Sequence, residues 1–197
     1  MRKKKTGHSK NRYMIISPSH RFIVHIDMNA YFASVEQQAH PEWRGRPLCV
    51  CAYLREYGCV IAASREAKKL GIDVGTRVHD ARILAPEAIF VGCEPAKYRS
   101  VTRRIFKIFH DYTDRVEYYS IDEAFLDLTG WYKDEIHLIQ ALCKIKSRIR
   151  DEVGEWLTAS MGVGPNKLLA KLASDYQKPD GLTIINQNNL DDFLAER

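Results

Sequence analysis

The run Phe22-Ile23-Val24-His25-Ile26-Asp27, followed at once by Met28-Asn29-Ala30-Tyr31-Phe32-Ala33-Ser34-Val35-Glu36, sets the frame for the whole chain. Residues 22–26 are apolar and rich in β-formers, which predicts a buried strand ending at Asp27. Residues 29–39 then favour a helix, with Ala30, Ala33, Val35 and Ala39 among polar positions, until Pro41 stops it. An acid at this junction is either a helix cap or part of a site.

Working outward, 48–52 and 59–63 read as strands joined by Tyr53-Leu54-Arg55-Glu56-Tyr57-Gly58. Short helices follow at 64–70, stopped by Gly71, and at 78–84, closed by Pro86. Tyr98, Val101, Ile105, Ile108 and Phe109 recur at helical spacing within 95–112. Strands are predicted at 116–120, 124–128, 158–163 and 182–185. Long helices are predicted at 134–153 and 167–176. Residues 188–197 read as the first turns of a helix with nothing to pack against. Setting 31–97 aside leaves strand, helix, strand pair, helix, strand, helix, strand. That is a mixed α/β (α+β) sheet covered by helices, compatible with a ferredoxin-like βαββαβ core carrying a small inserted α/β lobe.

Composition narrows the class. At 45% hydrophobic and 28% charged, 197 residues can bury a real core, so the chain reads as globular rather than disordered. No apolar run approaches the roughly 18 residues needed to span a bilayer, and no signal-peptide pattern follows the first residues. The expectation is a cytoplasmic protein with no membrane partner. Part of the net charge of +5 lies in Arg2, Lys3, Lys4, Lys5, Lys10 and Arg12. Residues 1–20 are accordingly expected to be a basic, disordered tail that adds sequence-blind attraction to phosphates. Five cysteines, an odd number with no zinc spacing, point to reduced, mostly buried thiols.

Three acids carry the chemical argument. Asp27 follows a strand, and Asp122-Glu123 sits between two strand-like runs. Neighbours in a regular strand point to opposite faces, but a hairpin tip relaxes that rule and lets both acids turn one way. If the hairpin lies beside the first strand, three carboxylates converge. Crowded acids repel and call for cations; Mg2+ suits such oxygen ligands. Two such ions about 3.5–4 Å apart serve in-line displacement at phosphorus. The spacing alone also fits a polar turn at Asp122-Glu123 and a helix cap at Asp27.

Order and spacing of motifs from about residue 22 to 185 resemble the Y-family, polymerase IV-like translesion DNA polymerases. The residues 26–36 resemble their opening palm motif. Ser120-Ile121-Asp122-Glu123-Ala124-Phe125-Leu126-Asp127 is similar to the second acidic motif. Gly162-Val163-Gly164-Pro165-Asn166-Lys167 through Asp175, with Lys178-Pro179-Asp180-Gly181, resembles a third block. Arg44-Gly45-Arg46-Pro47 and 62–71 are similar to the fingers. The resemblance implies a palm at 21–30 and 98–186, fingers at 31–97, and the start of a truncated thumb at 187–197, so that the chain is expected to be a fragment.

The resemblance also implies template-directed transfer from a dNTP to a primer 3′-OH on primer–template DNA. Two Mg2+ ions, which Mn2+ can replace, would be held by Asp27, Asp122, Glu123 and the Met28 carbonyl. Phe32 takes the position of the steric gate. The Tyr31 and Phe32 backbone N–H groups and Lys178 would receive the triphosphate. Where many members have Tyr-Glu-Ala-Arg, this chain has Arg65-Glu66-Ala67-Lys68. Arg65 and Lys68 are expected to divide the phosphate-binding role, with Lys68 a point charge rather than a fork. A monomer is expected, and any sliding clamp would be reached through regions this sequence does not contain. The alternatives are a non-catalytic accessory homologue, which loss of an acid would signal, and a nucleotidyl cyclase. The cyclase lacks its Gly-Gly-Asp-Glu run here and would be opposed by Phe32.

Overall fold

The computed structural model describes residues 21–196; the basic segment 1–20 lies outside them. The first strand, β1 (Ile23–Met28), runs one residue past Asp27. It leads through Ala30 into α1 (Tyr31–Ala39). Next come β2 (Leu48–Cys51), β3 (Val60–Ala63), α2 (Arg65–Lys69), α3 (Val78–Leu84), β4 (Ile89–Gly92) and α4 (Pro95–His110). Then follow β5 (Val116–Tyr118), β6 (Glu123–Asp127), α5 (Glu135–Arg148), β7 (Ala159–Gly164), α6 (Lys167–Tyr176), β8 (Leu182–Ile184) and α7 (Leu190–Ala195). Asn166 caps α6 through a 2.9 Å bond to the Leu169 N–H, so the helix begins where the sequence places it.

Two sheets result. The larger has the order β5-β6-β1-β7-β8, with β1 antiparallel to both neighbours and β8 added parallel to β7. Leaving β8 aside, this is the ferredoxin-like arrangement, in which β6-α5-β7 leaves a gap that β1 fills. The smaller sheet, β3-β2-β4, lies in the inserted segment and has its own core of Cys49, Cys51, Val60, Ala63, Ala67, Ile72, Val78 and Ala81. Its parallel strand β4 is not among the predicted elements. It is as long as β2 and β3, and all four of its positions are partly buried.

The central strand is covered on both faces, which is why 22–26 reads as an unbroken apolar run. Val24, Ile26 and Met28 join the main core with Tyr98, Ile105 and Phe109 of α4 and Leu138, Leu142 and Ile145 of α5. On the other face Ile23 packs with Phe125 and Ala170 under α6. α6 lies very close to the sheet because β7 offers glycine. A Cβ on Gly162 would stand 2.1 Å from the Ala170 carbonyl oxygen and 2.1 Å from the Ser174 nitrogen.

Two expectations need correction. The C-terminal helix does have something to pack against: Phe193 of α7 is buried with Ala173 and Ile185, its ring 5.1 Å from that of Tyr176. The cysteines are less uniformly buried than expected. Cys49 and Cys51 are buried, and burial pushes their thiols up to about 12 and about 11. Cys59 and Cys93 are partly exposed and Cys143 is exposed on α5, where the partly polar outer helix face leaves it.

Gly162→Ala should lower the melting temperature by about 6–12 °C, since overpacking of about 3 kcal/mol shifts a domain of this size by that much. Gly92→Ala, where a new Cβ meets nothing within 4 Å, should stay within about 2 °C of the parent. Thermal unfolding of the two variants side by side checks both.

Candidate active site

Register brings the acids to one edge. Asp27 is the Cα partner of Glu123 in the β1–β6 pair. The Met28 N–H donates to the Asp122 carbonyl at 3.0 Å, which fastens the β5–β6 connection to the end of β1. Asp122 stands in that connection, held by the Ser120 hydroxyl at 2.6 Å, while Glu123 is already the first residue of β6. Asp27 therefore belongs to the strand and does not cap α1. That helix starts from Ala30, in the left-handed region at φ 47°, with no side-chain cap. A non-glycine residue costs about 1–2 kcal/mol there. The turn sends α1 off sharply and leaves its first N–H groups without a side-chain partner.

A cavity of about 420 Å3 opens at this junction. Its wall includes Asp27, Met28, Asn29, Tyr31 and Asp122 from the large sheet and its helix, and Arg65 and Lys68 from α2. Lys178 and Pro179 line it as well. Acids and cations thus share one space, with Lys178 ion-paired to Asp27. Glu123 stands beside the cavity rather than on its wall, and so does Phe32, whose ring stacks on Tyr98 at 4.3 Å and 14°. Tyr31 is buried. Its hydroxyl donates to the Tyr98 carbonyl at 2.9 Å and lies 2.8 Å from the Thr102 hydroxyl, and burial pushes its pKa up to about 12.

The electrostatics follow from burial first and from crowding second. Burial raises the Asp27 carboxyl above its ordinary range, and the charges of Glu123 and Asp122 add to that against the ion pair with Lys178. Asp122 is also raised, by burial first and by Glu123, with the Ser120 hydrogen bond opposing. Glu123 goes the other way. Burial would raise it, but the Lys171 ammonium and then His25 hold it below its usual value. Lys178 is held up by Asp175 at 2.8 Å and by Asp27, against burial. Among the described residues no three ligands form a ready metal cluster. The donor set nonetheless fits a hard divalent cation: mutually repelling oxygens on a cavity, with lysines supplying the compensating charge.

Several contributors were not singled out from sequence. Asn29 is buried and acts as a hub. Its Oδ1 accepts from the Asp180 N–H at 2.8 Å and from Thr158 at 3.1 Å, while its Nδ2 donates to Ser160 at 2.9 Å. Arg65, which the sequence did single out, crosses to the same cluster, donating from Nη2 to the Thr158 hydroxyl at 2.6 Å. Lys171, Ser174 and Asp175 share one side of α6 and its end with Lys178, the one of the four that the sequence singled out. Their spacing of three, four and seven was the available signal.

Residues 26–175, a span that contains Asp27, Asp122 and Glu123, match the impB/mucB/samB family. The chain belongs to that family. It is 47% identical to a DNA polymerase IV of Bacteroides fragilis over 175 residues, which is 89% of this chain and 47% of that protein. A DNA polymerase IV of Clostridium perfringens is 42% identical over 88% of this chain and 48% of its own length. Among solved structures, an insertion ternary complex of Dbh DNA polymerase superposes with a TM-score of 0.83 at 36% identity, covering 89% of this chain and 52% of that one. DinB from Sulfolobus solfataricus gives 0.82 at 36%, covering 88% and 50%. The chain therefore spans about half the length of the curated relatives it matches, and its fold is the Y-family palm and fingers fold.

Because Asp122 is raised above its unfolded value, it weakens the fold as pH rises through the window between its unfolded and folded pKa, and the penalty is complete above that window. Asp122→Asn keeps an acceptor for Ser120 and removes the charge. At pH 7 without divalent cations it should raise the melting temperature by about 2–4 °C, the size of a 1 kcal/mol change in a domain this long. The gain should fade as pH falls through the carboxylate range. Melting curves from pH 3 to 8 check the sign.

Proposed function

We propose that the chain is the catalytic part of a translesion DNA polymerase, which adds a deoxynucleotide from a dNTP to a primer 3′-OH on a DNA template. The observation that carries this reading is the single cavity that Asp27 and Asp122 share with Arg65, Lys68 and Lys178. The acids suit metal-bound reacting oxygens, and the cations, Arg65 and Lys68 of α2 and Lys178 paired to Asp27, suit a triphosphate. On this reading 21–30 and 98–186 form the palm, 31–97 the fingers and 187–197 the start of a thumb. The remaining half of the relatives' length would supply grip on DNA.

Asp27, Asp122, Glu123 and the Met28 carbonyl would hold two Mg2+ ions, and Mn2+ can replace them. When bound, the ions supply Lewis-acid stabilisation of the attacking and leaving oxygens. The chain's own residues do the positioning. The uncapped N-terminus of α1, at Tyr31 and Phe32, receives phosphate oxygens on its N–H groups. Lys178, held between Asp27 and Asp175, gives its charge to the triphosphate, with Lys68 opposite. Arg65 adds a planar fork. Phe32, braced by its stack on Tyr98, excludes a ribose 2′-OH and so selects deoxynucleotides. In the reaction the primer 3′-oxygen bonds to the α-phosphorus while the bond to the departing pyrophosphate breaks. The protein's contribution is orientation and electrostatics.

Primer extension on a templated DNA hairpin with Mg2+, at low salt and excess protein, tests this. Templated dNTP addition should occur and should fall by at least about 100-fold in Asp122→Asn. Silence of the chain, and again after the missing half of a relative is joined to it, would move the reading to a non-catalytic homologue. On the active form, replacing Arg65 and Lys68 together by Ala should raise the nucleotide KM by about 10–100-fold, the value of one or two charged hydrogen bonds. An unchanged KM would remove both residues from the phosphate site.

A further inference from the structure

His25 lies on β1 two residues before Asp27, so both side chains leave the same face of the sheet. Its ring is wholly buried, tilted against Phe125 at 4.6 Å and edge-on to Tyr119 at 6.5 Å. A phenyl ring would satisfy that packing. The imidazole adds two polar contacts: Nε2 lies 3.0 Å from Glu123 Oε2, and Nδ1 lies 2.7 Å from Ser174 Oγ.

Donor and acceptor rules fix the direction of this chain of contacts. An ionised carboxylate only accepts, so Nε2 carries a hydrogen whatever the charge on the ring. In the neutral ring Nδ1 is then an acceptor, and the Ser174 hydroxyl donates to it. That hydroxyl also lies 2.8 Å from the Lys171 carbonyl, which competes for the same hydrogen. Glu123 Oε2 receives a second donor, the Lys171 ammonium. Two donors thus commit one carboxylate oxygen, while Oε1 accepts no hydrogen bond among the described residues.

We propose that His25, braced by Ser174, is the positioning residue for Glu123: it fixes Oε2 so that Oε1 is the oxygen left for a divalent cation. This rests on the reading of Glu123 as a metal ligand. Lys171 alone could not do the same work. A flexible ammonium sets charge but not orientation, whereas a ring held at both nitrogens sets both. Partners that orient a ligand in this way change metal affinity by about 10–100-fold when removed.

The test is Mn2+ binding to the chain without DNA or nucleotide, followed by electron paramagnetic resonance, with melting curves on every variant. His25→Phe keeps the ring and its packing but loses both contacts. It should weaken Mn2+ binding by about tenfold or more. His25→Gln can place an amide donor near the Nε2 position and should restore binding to within about threefold of the parent. A folded His25→Phe that binds Mn2+ like the parent overturns the proposal, and so does His25→Gln no better than His25→Phe. If His25→Phe does not fold, Ser174→Ala decides. It keeps the helix and removes the brace, so it should weaken binding by about threefold or more, and parental binding in it overturns the proposal. Asp122→Asn separates the two levels of argument. Loss of Mn2+ binding there with none in His25→Phe sinks the positioning role alone. A parent chain that binds no Mn2+ sinks the metal reading and the proposal with it.

Discussion

Asp27 and Glu123 are opposite one another in an antiparallel strand pair, and Asp122 is fastened to the same strand end by its own carbonyl. Like charges so placed work against the pairing that places them. Two unit charges at roughly 5 Å in an effective dielectric of about 20 repel by about 3 kcal/mol. No single surface ion pair, worth about 0–1 kcal/mol, cancels that. The chain answers with two lysines on partly buried acids, Lys171 on Glu123 and Lys178 on Asp27. Both come from α6 and the turn that ends it.

That answer depends on how closely α6 can approach. The lysines reach the acids because the helix lies nearly on the backbone of β7, and it can lie there because Gly162 has no side chain. The small residues facing the sheet, Ala170, Ala173 and Ser174, complete the fit. Backbone sterics at one glycine and charge balance at three carboxylates are therefore parts of one arrangement. The compensation is unequal. Glu123 ends below its ordinary pKa, whereas Asp27 and Asp122 remain above theirs. The residual strain lies on the two acids that line the cavity.

Much of this was legible in the sequence, for identifiable reasons. β1 is buried on both faces and so shows a continuous apolar run; α4 and α6 are amphipathic and show a helical period; Asn166 marks the start of α6. β4 is not among the predicted strands although it is no shorter than β2 and β3. Convergence of Asp27 with Asp122 and Glu123 could be conjectured from a hairpin, but the register that realises it is a long-range fact. It pairs residues nearly a hundred positions apart. The inner supports were less visible still. A histidine in an apolar run reads as core, and only the alternation of β1 puts His25 on the side of the acids. Asn29 reads as a helix-start residue, yet its amide holds together 158, 160 and 180.

Arg65 shows how a departure from a family pattern can be absorbed. Tyrosine at this position would offer one hydroxyl. The arginine spans the space between the two sheets and donates to Thr158, which in turn donates to Asn29, which accepts from the backbone of Asp180 beside Lys178. The small lobe is thereby tied to the segment that carries Lys178. A guanidinium carries five donor hydrogens in a plane, and Thr158 engages one nitrogen. The structural tie and a phosphate contact do not exclude each other, since the remaining donors of the fork stay available on the cavity wall. Lysine could not hold both in a fixed plane, which gives a physical reason for finding the arginine at 65 and the lysine at 68.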